Sequence, residues 1–174
     1  MKTLLSSAAL AAMFIAIAPA HAQWRLDNGV AIVEPAETNS NMELVALVCG
    51  DPYQLEVYAR GGPVQPADQE VAADYFYKPN KVRATIDGQA FKLTAAGSDG
   101  AVVLFGEGSK AQSYMDKLPA ALVQALMAGK TLTLGFDITA ANNADGSPFE
   151  TIAVFPLTGS REAIEATLSA CGGA

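Results

Sequence analysis

The sequence KVRATIDGQAFKLTA at residues 81–95 carries the clearest fold signal in the chain. Asp87-Gly88, a favoured two-residue hairpin turn, lies there between two runs in which apolar and polar residues alternate. Counting outward from the turn gives three cross-strand pairs, which are Ile86 with Gln89, Ala84 with Phe91, and Val82 with Leu93. The apolar members of these pairs share one face, so the stretch predicts a β-hairpin packed against a core. The other face carries Arg83 opposite Lys92, a pair of like charges that indicates a solvated surface.

Further apolar runs bounded by glycine and proline extend this β pattern. The almost continuously apolar run Met42–Cys49 predicts a central strand that is covered on both faces. The next run alternates, with Glu56 and Tyr58 on one face and apolar residues on the other, which predicts a half-buried strand. Strands are also predicted at 29–33, 101–105, 130–139 and 150–157, and a loop around Asp145-Gly146 separates the last two.

A first helix is predicted at residues 119–128, where Leu122 and Leu126 lie on one stripe and Gly129 is placed to end the helix. A shorter helical turn is predicted to begin at Ser109. With a second helix at the C-terminus, the patterns predict an α+β fold that is mainly antiparallel β. We expect a sandwich-like arrangement or a curled sheet.

The C-terminal helix is predicted to begin with Ser160 as its N-cap. Ile164, Leu168 and Cys171 follow at helical spacing, so all three are expected to face the core. The other cysteine, Cys49, lies on the core side of its predicted strand. An even number of cysteines in an exported chain favours one disulfide, which would hold the helix across the sheet, although two unpaired buried thiols are the alternative.

Residues 1–22 have the pattern of a cleaved signal peptide. A positively charged start precedes an unbroken apolar run at 8–18, and the sequence AHA supplies a small-x-small cleavage signal between Ala22 and Gln23. The apolar run is too short to span a bilayer, and no later stretch is long enough. We therefore predict a single exported globular domain at 23–174, which is periplasmic or secreted and has no membrane span.

The composition narrows the possible chemistry. The formal net charge is −7, and loss of Lys2 with the signal peptide makes it one unit more negative. Such a charge argues against nucleic-acid binding. It mildly favours a basic partner, and the preferred alternative is that it only maintains solubility. The only histidine, His21, also leaves with the signal peptide, so neither a Ser-His-Asp triad nor a Cys-His pair can form. We predict no catalytic residue, no metal site and no cofactor.

Tyr75-Phe76-Tyr77 is the one concentration of aromatic residues. If the segment is a strand, Tyr75 and Tyr77 share a face opposite Phe76. Because tyrosine is enriched at protein interfaces, the pair is a candidate recognition patch. The alternative is an edge strand whose aromatic residues pack on the core.

The C-terminal third contains two motifs that lead into regular elements. Leu126-x-x-Gly129-Lys130-x-Leu132 precedes a predicted strand, and Phe155-x-Leu157-x-Gly159 precedes the last predicted helix. This part of the chain resembles small exported bacterial proteins of the invasion-associated locus B type. The resemblance implies a β-sandwich-like, non-enzymatic envelope protein with no assigned catalytic residues.

The sequence thus predicts a non-catalytic exported protein that binds a protein or another envelope or secreted component. Two alternatives come from other classes. A hydrolase built on carboxylates would need two acids facing each other in a cleft, and the chain has 18 acidic residues. An inhibitor of a basic secreted enzyme would use the negative charge directly.

Overall fold

The computed structural model describes residues 23–50, 53–98, 100–111 and 114–172, so the predicted signal peptide and Ala22 lie outside the described residues. The described chain is mostly antiparallel sheet with two helices, one of them C-terminal, which confirms the predicted α+β class. The strands are β1 (Arg25–Asp27), β2 (Val30–Val33), β3 (Glu37–Thr38), β4 (Met42–Cys49), β5 (Tyr53–Ala59), β6 (Val82–Ile86), β7 (Gln89–Ser98), β8 (Ala101–Ala111), β9 (Tyr114–Asp116), β10 (Thr131–Phe136) and β11 (Thr151–Pro156). The helices are α1 (Ala120–Ala128) and α2 (Ser160–Cys171).

The described strands form one sheet in the order β1-β2-β4-β5-β8-β7-β6-β10-β11-β3, and β9 pairs with β8. β2 pairs with β4 near one end of this order, whereas β3 pairs with β11 at the other end. Only residues 34–36 separate β2 from β3, and so short a segment cannot cross a flat sheet. The sheet therefore curls until β2, near one end of the order, lies three residues of chain from β3 at the other end, which agrees with the predicted curled sheet.

The hairpin at 81–95 forms in the predicted register, with Ile86 opposite Gln89 at the turn. Asp87 and Gly88 both have positive φ, at +47° and +89°, as the two-residue turn requires. The Asp87 carboxylate also accepts the backbone N–H groups of Lys130 and Thr131 at 2.9 and 3.1 Å. The turn is thereby fixed to the start of β10, the neighbour of β6 in the sheet.

The like-charged pair Arg83 and Lys92 lies directly opposite across β6 and β7, as predicted. The surface is partly covered, however, because the Arg83 guanidinium lies 4.4 Å above the ring of Phe149. The Lys92 ammonium donates to Asn80 Oδ1 at 3.1 Å. Phe149 in turn packs over Gly135, where an added Cβ would approach the ring to 3.2 Å. Separate partners therefore draw the two cations apart.

One hydrophobic core fills the inside of the curled sheet. Alternate residues of the strands, such as Val45 and Leu47 in β4, are fully buried in it. The helices contribute Leu122, Val123, Leu126, Met127, Ala163 and Ile164 to the same cluster. Both helices consequently lie on the core side of the sheet.

The first helix ends where the sequence predicts. The Gly129 N–H donates to the Ala125 carbonyl at 2.8 Å, and Pro119 occupies the N-cap position. The helical turn predicted from Ser109 is wrong, because Ser109 lies in β8. β8 continues past the predicted end at residue 105 and pairs with β9. A Cβ at Gly106 would lie 2.6 Å from the Lys117 carbonyl oxygen, so this glycine permits close approach of the chain rather than marking a turn.

The N-cap predicted for the second helix is also wrong. Gly159, at φ +78°, is the N-cap, and Ser160 is the first helical residue. The buried Ser160 hydroxyl donates instead to the Leu126 carbonyl at 2.7 Å and so connects α2 to α1. An added Cβ at Gly159 would lie 2.9 Å from the Trp24 carbonyl oxygen. Both the φ angle and this close approach require glycine at the position.

The predicted disulfide between Cys49 and Cys171 is present, with the two Cα atoms 5.1 Å apart. It joins the end of β4 to the last residue of α2. A second attachment comes from Thr167, whose hydroxyl donates to the Gly29 carbonyl at 3.2 Å. The C-terminal helix is therefore held across the sheet against β1, β2 and β4, as the sequence predicts.

Candidate functional site

A row of side chains crosses five strands on the sheet face that points away from the core. The strand registers pair Ile32 with Ala46, Ala46 with Glu56, Glu56 with Val103, and Val103 with Ala96. The four apolar residues of the row are buried, with 2% to 8% of their surface exposed, yet none of them belongs to the core cluster. The row is therefore a second apolar layer outside the core.

Larger apolar side chains stand on both sides of this row. Leu44 and Tyr58 are cross-strand partners on one side, and Val48 and Phe105 lie on the other. Tyr58 is 36% exposed, and the other three are half-buried. We call the surface formed by these residues the outer face. It also holds two polar residues on the Val48 and Phe105 side, because Gln54 pairs with Val48 and Thr94 pairs with Phe105. Its members are Ile32, Leu44, Ala46, Val48, Gln54, Glu56, Tyr58, Thr94, Ala96, Val103 and Phe105. Neither α1 nor α2 covers it, because the buried apolar residues of both helices lie in the core.

Glu56 is the charged residue at the centre of the outer face. It lies between Ala46 and Val103 on the neighbouring strands and is half-buried. The Tyr58 hydroxyl donates to Glu56 Oε2 at 2.8 Å. This hydrogen bond, together with burial and the negative charge of Glu56, raises the pKa of the Tyr58 phenol. Within the described residues no lysine or arginine pairs with Glu56, so the hydroxyl supports a carboxylate whose charge is not neutralised.

The cations at the margins of the outer face already have acidic partners. Arg25, at the β1 end of the row, pairs with Glu34 at 2.9 Å. Arg60, just after β5, pairs with Glu43 at 2.8 Å. These margins are electrically balanced, and the unbalanced charge of the outer face is that of Glu56.

The structure separates the two tyrosines of the predicted recognition patch. Tyr77 is 54% exposed, but Tyr75 is fully buried and packs edge-on against Phe136, with ring centroids 5.0 Å apart. The Val64 N–H donates to the Tyr75 hydroxyl at 2.7 Å, and burial raises the pKa of this phenol. The segment is not a strand, because the chain takes a left-handed φ of +59° at Tyr77. The predicted shared patch is therefore wrong for Tyr75, which belongs to the core, and the segment is not the edge strand of the alternative either.

The sequence did contain a signal for the outer face. Strand alternation places Glu56 and Tyr58 on one face of β5, and the apolar run of β4 predicts cover on both faces. In the structure the core covers one face of β4, and Leu44, Ala46 and Val48 point the other way. The sequence could not show that β8 lies beside β5, and that neighbour completes the surface.

An open polar groove of about 650 Å³ lies at the ends of β4 and β5. The carboxylates of Glu43, Asp68 and Glu70 line it. All three residues are exposed, and Glu43 is already paired with Arg60. A catalytic acid needs a carboxyl whose pKa is raised by burial or by a close negative neighbour. The groove provides no burial for these three carboxylates.

Glu150 is a carboxylate with a clearly structural function. It accepts the N–H groups of Ile138 and Thr139 at 2.6 and 3.0 Å, and the Thr139 hydroxyl at 2.5 Å. Burial alone would raise the pKa of Glu150, but these hydrogen bonds stabilise its ionised form and lower the pKa. Glu150 therefore closes the loop predicted around Asp145-Gly146.

In the part of the chain that the structure describes, no three histidine, cysteine, aspartate or glutamate side chains are grouped as metal ligands would be. Neither of the two described helices has the length and apolar character that crossing a membrane requires. The likeness of the C-terminal third to proteins of the invasion-associated locus B type stays a prediction from the motifs quoted above. Comparison of the chain with protein-family models, with curated proteins and with solved structures finds no match.

Proposed function

We propose that this chain is an exported, non-catalytic protein that binds another envelope or secreted protein through the outer face. The observation that carries the proposal is the extent of this surface. It spans five neighbouring strands, and its polar groups are the Glu56 carboxylate, the Gln54 amide and the hydroxyls of Tyr58 and Thr94. A contiguous apolar surface that stays accessible marks an interaction site, and here Tyr58 is 36% exposed while Leu44, Val48 and Phe105 are half-buried.

The position of the outer face in the fold supports a binding function. β4, β5 and β8 each have a partner strand on both sides, so the side chains of the outer face stand on a rigid platform. A rigid site loses little conformational entropy when it binds. Tyr58 adds an amphipathic aromatic ring, a residue type enriched in protein interfaces.

Export is supported by the disulfide. Disulfides persist in oxidising compartments and are rare in the reducing cytosol. Cys49 and Cys171 join two elements that are far apart in the sequence, with a separation of 122 residues. A periplasmic or secreted location agrees with this bond and with the signal-peptide pattern at 1–22.

The proposal is tested by capture with matched variants. The full chain is expressed with its own leader, recovered from the exported fraction in oxidised form, immobilised and exposed to envelope extract of the source cells. Tyr58 and Ile152 are similarly exposed, at 36% and 38%, and lie on different parts of the sheet. We expect one partner to be retained by the wild type and by Ile152→Ser, and to be lost with Tyr58→Ser.

Two outcomes would contradict the proposal. Equal capture by all three proteins would show that the outer face is not the binding surface. A turnover by the purified protein that a single acid substitution abolishes would show a carboxylate enzyme instead. If the captured partner is a basic enzyme that loses its activity in the complex, the binding protein is specifically an inhibitor.

A further inference from the structure

We infer that the partner presents a lysine or arginine, surrounded by apolar residues, to Glu56 at the centre of the outer face. The inference rests on the proposed binding function and specifies the chemistry of the partner. It starts from the row in which Glu56 stands between Ala46 and Val103. The negative charge occupies the place where an apolar partner would make its closest contact.

Covering the outer face would remove water from Glu56. Leu44, Val48 and Phe105 stand around it, and Gln54 is its neighbour on the same face of β5, so a partner that packs on these side chains also encloses the carboxylate. Burial of an ionised carboxylate without a compensating charge is strongly unfavourable. The Tyr58 hydroxyl supplies one hydrogen bond but leaves the charge itself unneutralised.

A cation from the partner meets this requirement. An ammonium or guanidinium group forms charge-assisted hydrogen bonds with a carboxylate, and a guanidinium can form two in parallel. The long aliphatic stem of lysine or arginine can meanwhile pack on the apolar residues beside Glu56. The Arg25 and Arg60 side chains are engaged with Glu34 and Glu43, so neither of these two neighbouring cations neutralises Glu56 in the part of the chain that the structure describes.

A second copy of this chain is a poor candidate for the partner. A two-fold contact centred on the outer face would bring the two Glu56 carboxylates towards each other, because the same surface is used on both sides. Each copy also has a formal net charge of −7, so the copies repel each other. The partner is therefore a different protein, with a basic group inside an apolar contact surface.

The test uses two synthetic strand-forming peptides that alternate valine and threonine. They differ only at the central position. One peptide has lysine there, and the other has norleucine, an uncharged residue with a similar unbranched side chain. Affinities are measured by calorimetry for the oxidised protein recovered with its own leader, for Glu56→Gln and for Glu70→Gln. Glu56→Gln keeps the size of the side chain and an acceptor for Tyr58, and Glu70 is an exposed carboxylate that is not part of the outer face.

We expect the lysine peptide to bind the wild type about tenfold more tightly than the norleucine peptide. Glu70→Gln keeps this preference. Glu56→Gln removes it by weakening the lysine peptide, and the affinity for the norleucine peptide stays equal or rises. Thermal unfolding of all three proteins shows whether each variant retains the fold.

Three outcomes overturn the inference, and they are distinguishable from failure of the proposed function. They are equal affinity of the wild type for both peptides, a preference that survives in Glu56→Gln, and binding of neither peptide. In each case the proposed function still stands if Tyr58→Ser, but not Ile152→Ser, loses the captured envelope partner. The proposed function itself fails if Tyr58→Ser captures that partner normally, or if the purified protein shows a turnover that a single acid substitution abolishes.

Discussion

The Tyr58 hydroxyl donates a hydrogen bond to Glu56 Oε2 over 2.8 Å, on the outward side of β5. Residues two apart in a strand share a face, so strand alternation alone brings these side chains together. The carboxylate is thereby oriented within an apolar surface rather than left free in solvent. Tyr58 and Glu56 thus place a hydrogen-bonded carboxylate at the centre of the outer face, where a cation of a partner can bind.

This hydrogen bond predicts a raised tyrosine pKa that depends on Glu56. The pKa of Tyr58 lies above its ordinary value of 10.0, because the hydrogen bond, burial and the carboxylate charge all oppose loss of the phenolic proton. Glu56→Gln removes the charge, so the pKa of Tyr58 should fall towards 10.0. Spectrophotometric titration of the tyrosines measures this pKa. The difference between the titration curves of the wild type and Tyr58→Phe assigns the absorbance change to Tyr58. No change in Glu56→Gln would show that the carboxylate does not act on the phenol.

The disulfide should make a large contribution to stability. The bond closes a loop with a sequence separation of 122 and so restricts the unfolded chain. Loss of the disulfide should lower the free energy of unfolding by up to about 4–5 kcal/mol. Urea unfolding of Cys49→Ser/Cys171→Ser measures this change. Reduced wild-type protein should match the double variant. An oxidised wild type no more stable than the variant would contradict the prediction.

Two glycines with nearly the same φ allow the cost of backbone strain to be measured separately from the cost of a steric clash. Gly146 and Gly159 have φ of +80° and +78°, but a Cβ meets nothing within 4 Å at Gly146 and lies 2.9 Å from the Trp24 carbonyl oxygen at Gly159. Gly146→Ala should cost about 1–2 kcal/mol from the left-handed conformation. Gly159→Ala should cost at least about 1 kcal/mol more, since a backbone atom must move. Equal losses in chemical unfolding would contradict the close approach of β1 to α2.

Glu150 should stabilise the protein in a pH-dependent way. The pKa of Glu150 is lower in the folded protein than its ordinary value of 4.5, so its contribution is complete above that pH and is lost as the pH falls through the folded pKa. Glu150→Gln should lower the free energy of unfolding by about 1–2 kcal/mol at neutral pH. The difference from the wild type should shrink as the pH falls below 4.5. Glu70→Gln changes an exposed carboxylate and is the control. If the difference in stability between the wild type and Glu150→Gln did not depend on pH, the ionised form of Glu150 would not be its cause.

Features set by local chemistry were predictable from the sequence. The register of the hairpin at 81–95 follows from the turn at Asp87-Gly88, because the turn type fixes which residues pair. The pairing of Cys49 with Cys171 follows from an even cysteine count, strand parity and helix spacing. The end of α1 at Gly129 follows from the same kind of short-range signal.

Features set by distant parts of the chain were not predictable. The outer face depends on β5 lying beside β8, a contact between segments that no local pattern relates. Tyr75 is buried and Tyr77 is exposed, because the chain turns left-handed at Tyr77 and does not follow strand alternation there. Ser160 had the residue type of an N-cap, but Gly159 took that position because α2 begins against the Trp24 carbonyl. Tertiary contact overrode local preference in each case.

The most direct measurement of the binding account is site-specific cross-linking in the living source cell. A photo-cross-linking phenylalanine analogue is placed at position 58 in one strain and at position 152 in another, which are surface positions of similar exposure. Illumination should join the exported protein to one partner from position 58 and not from position 152. The same partner joined equally from both positions, or from 152 alone, would contradict binding through the outer face.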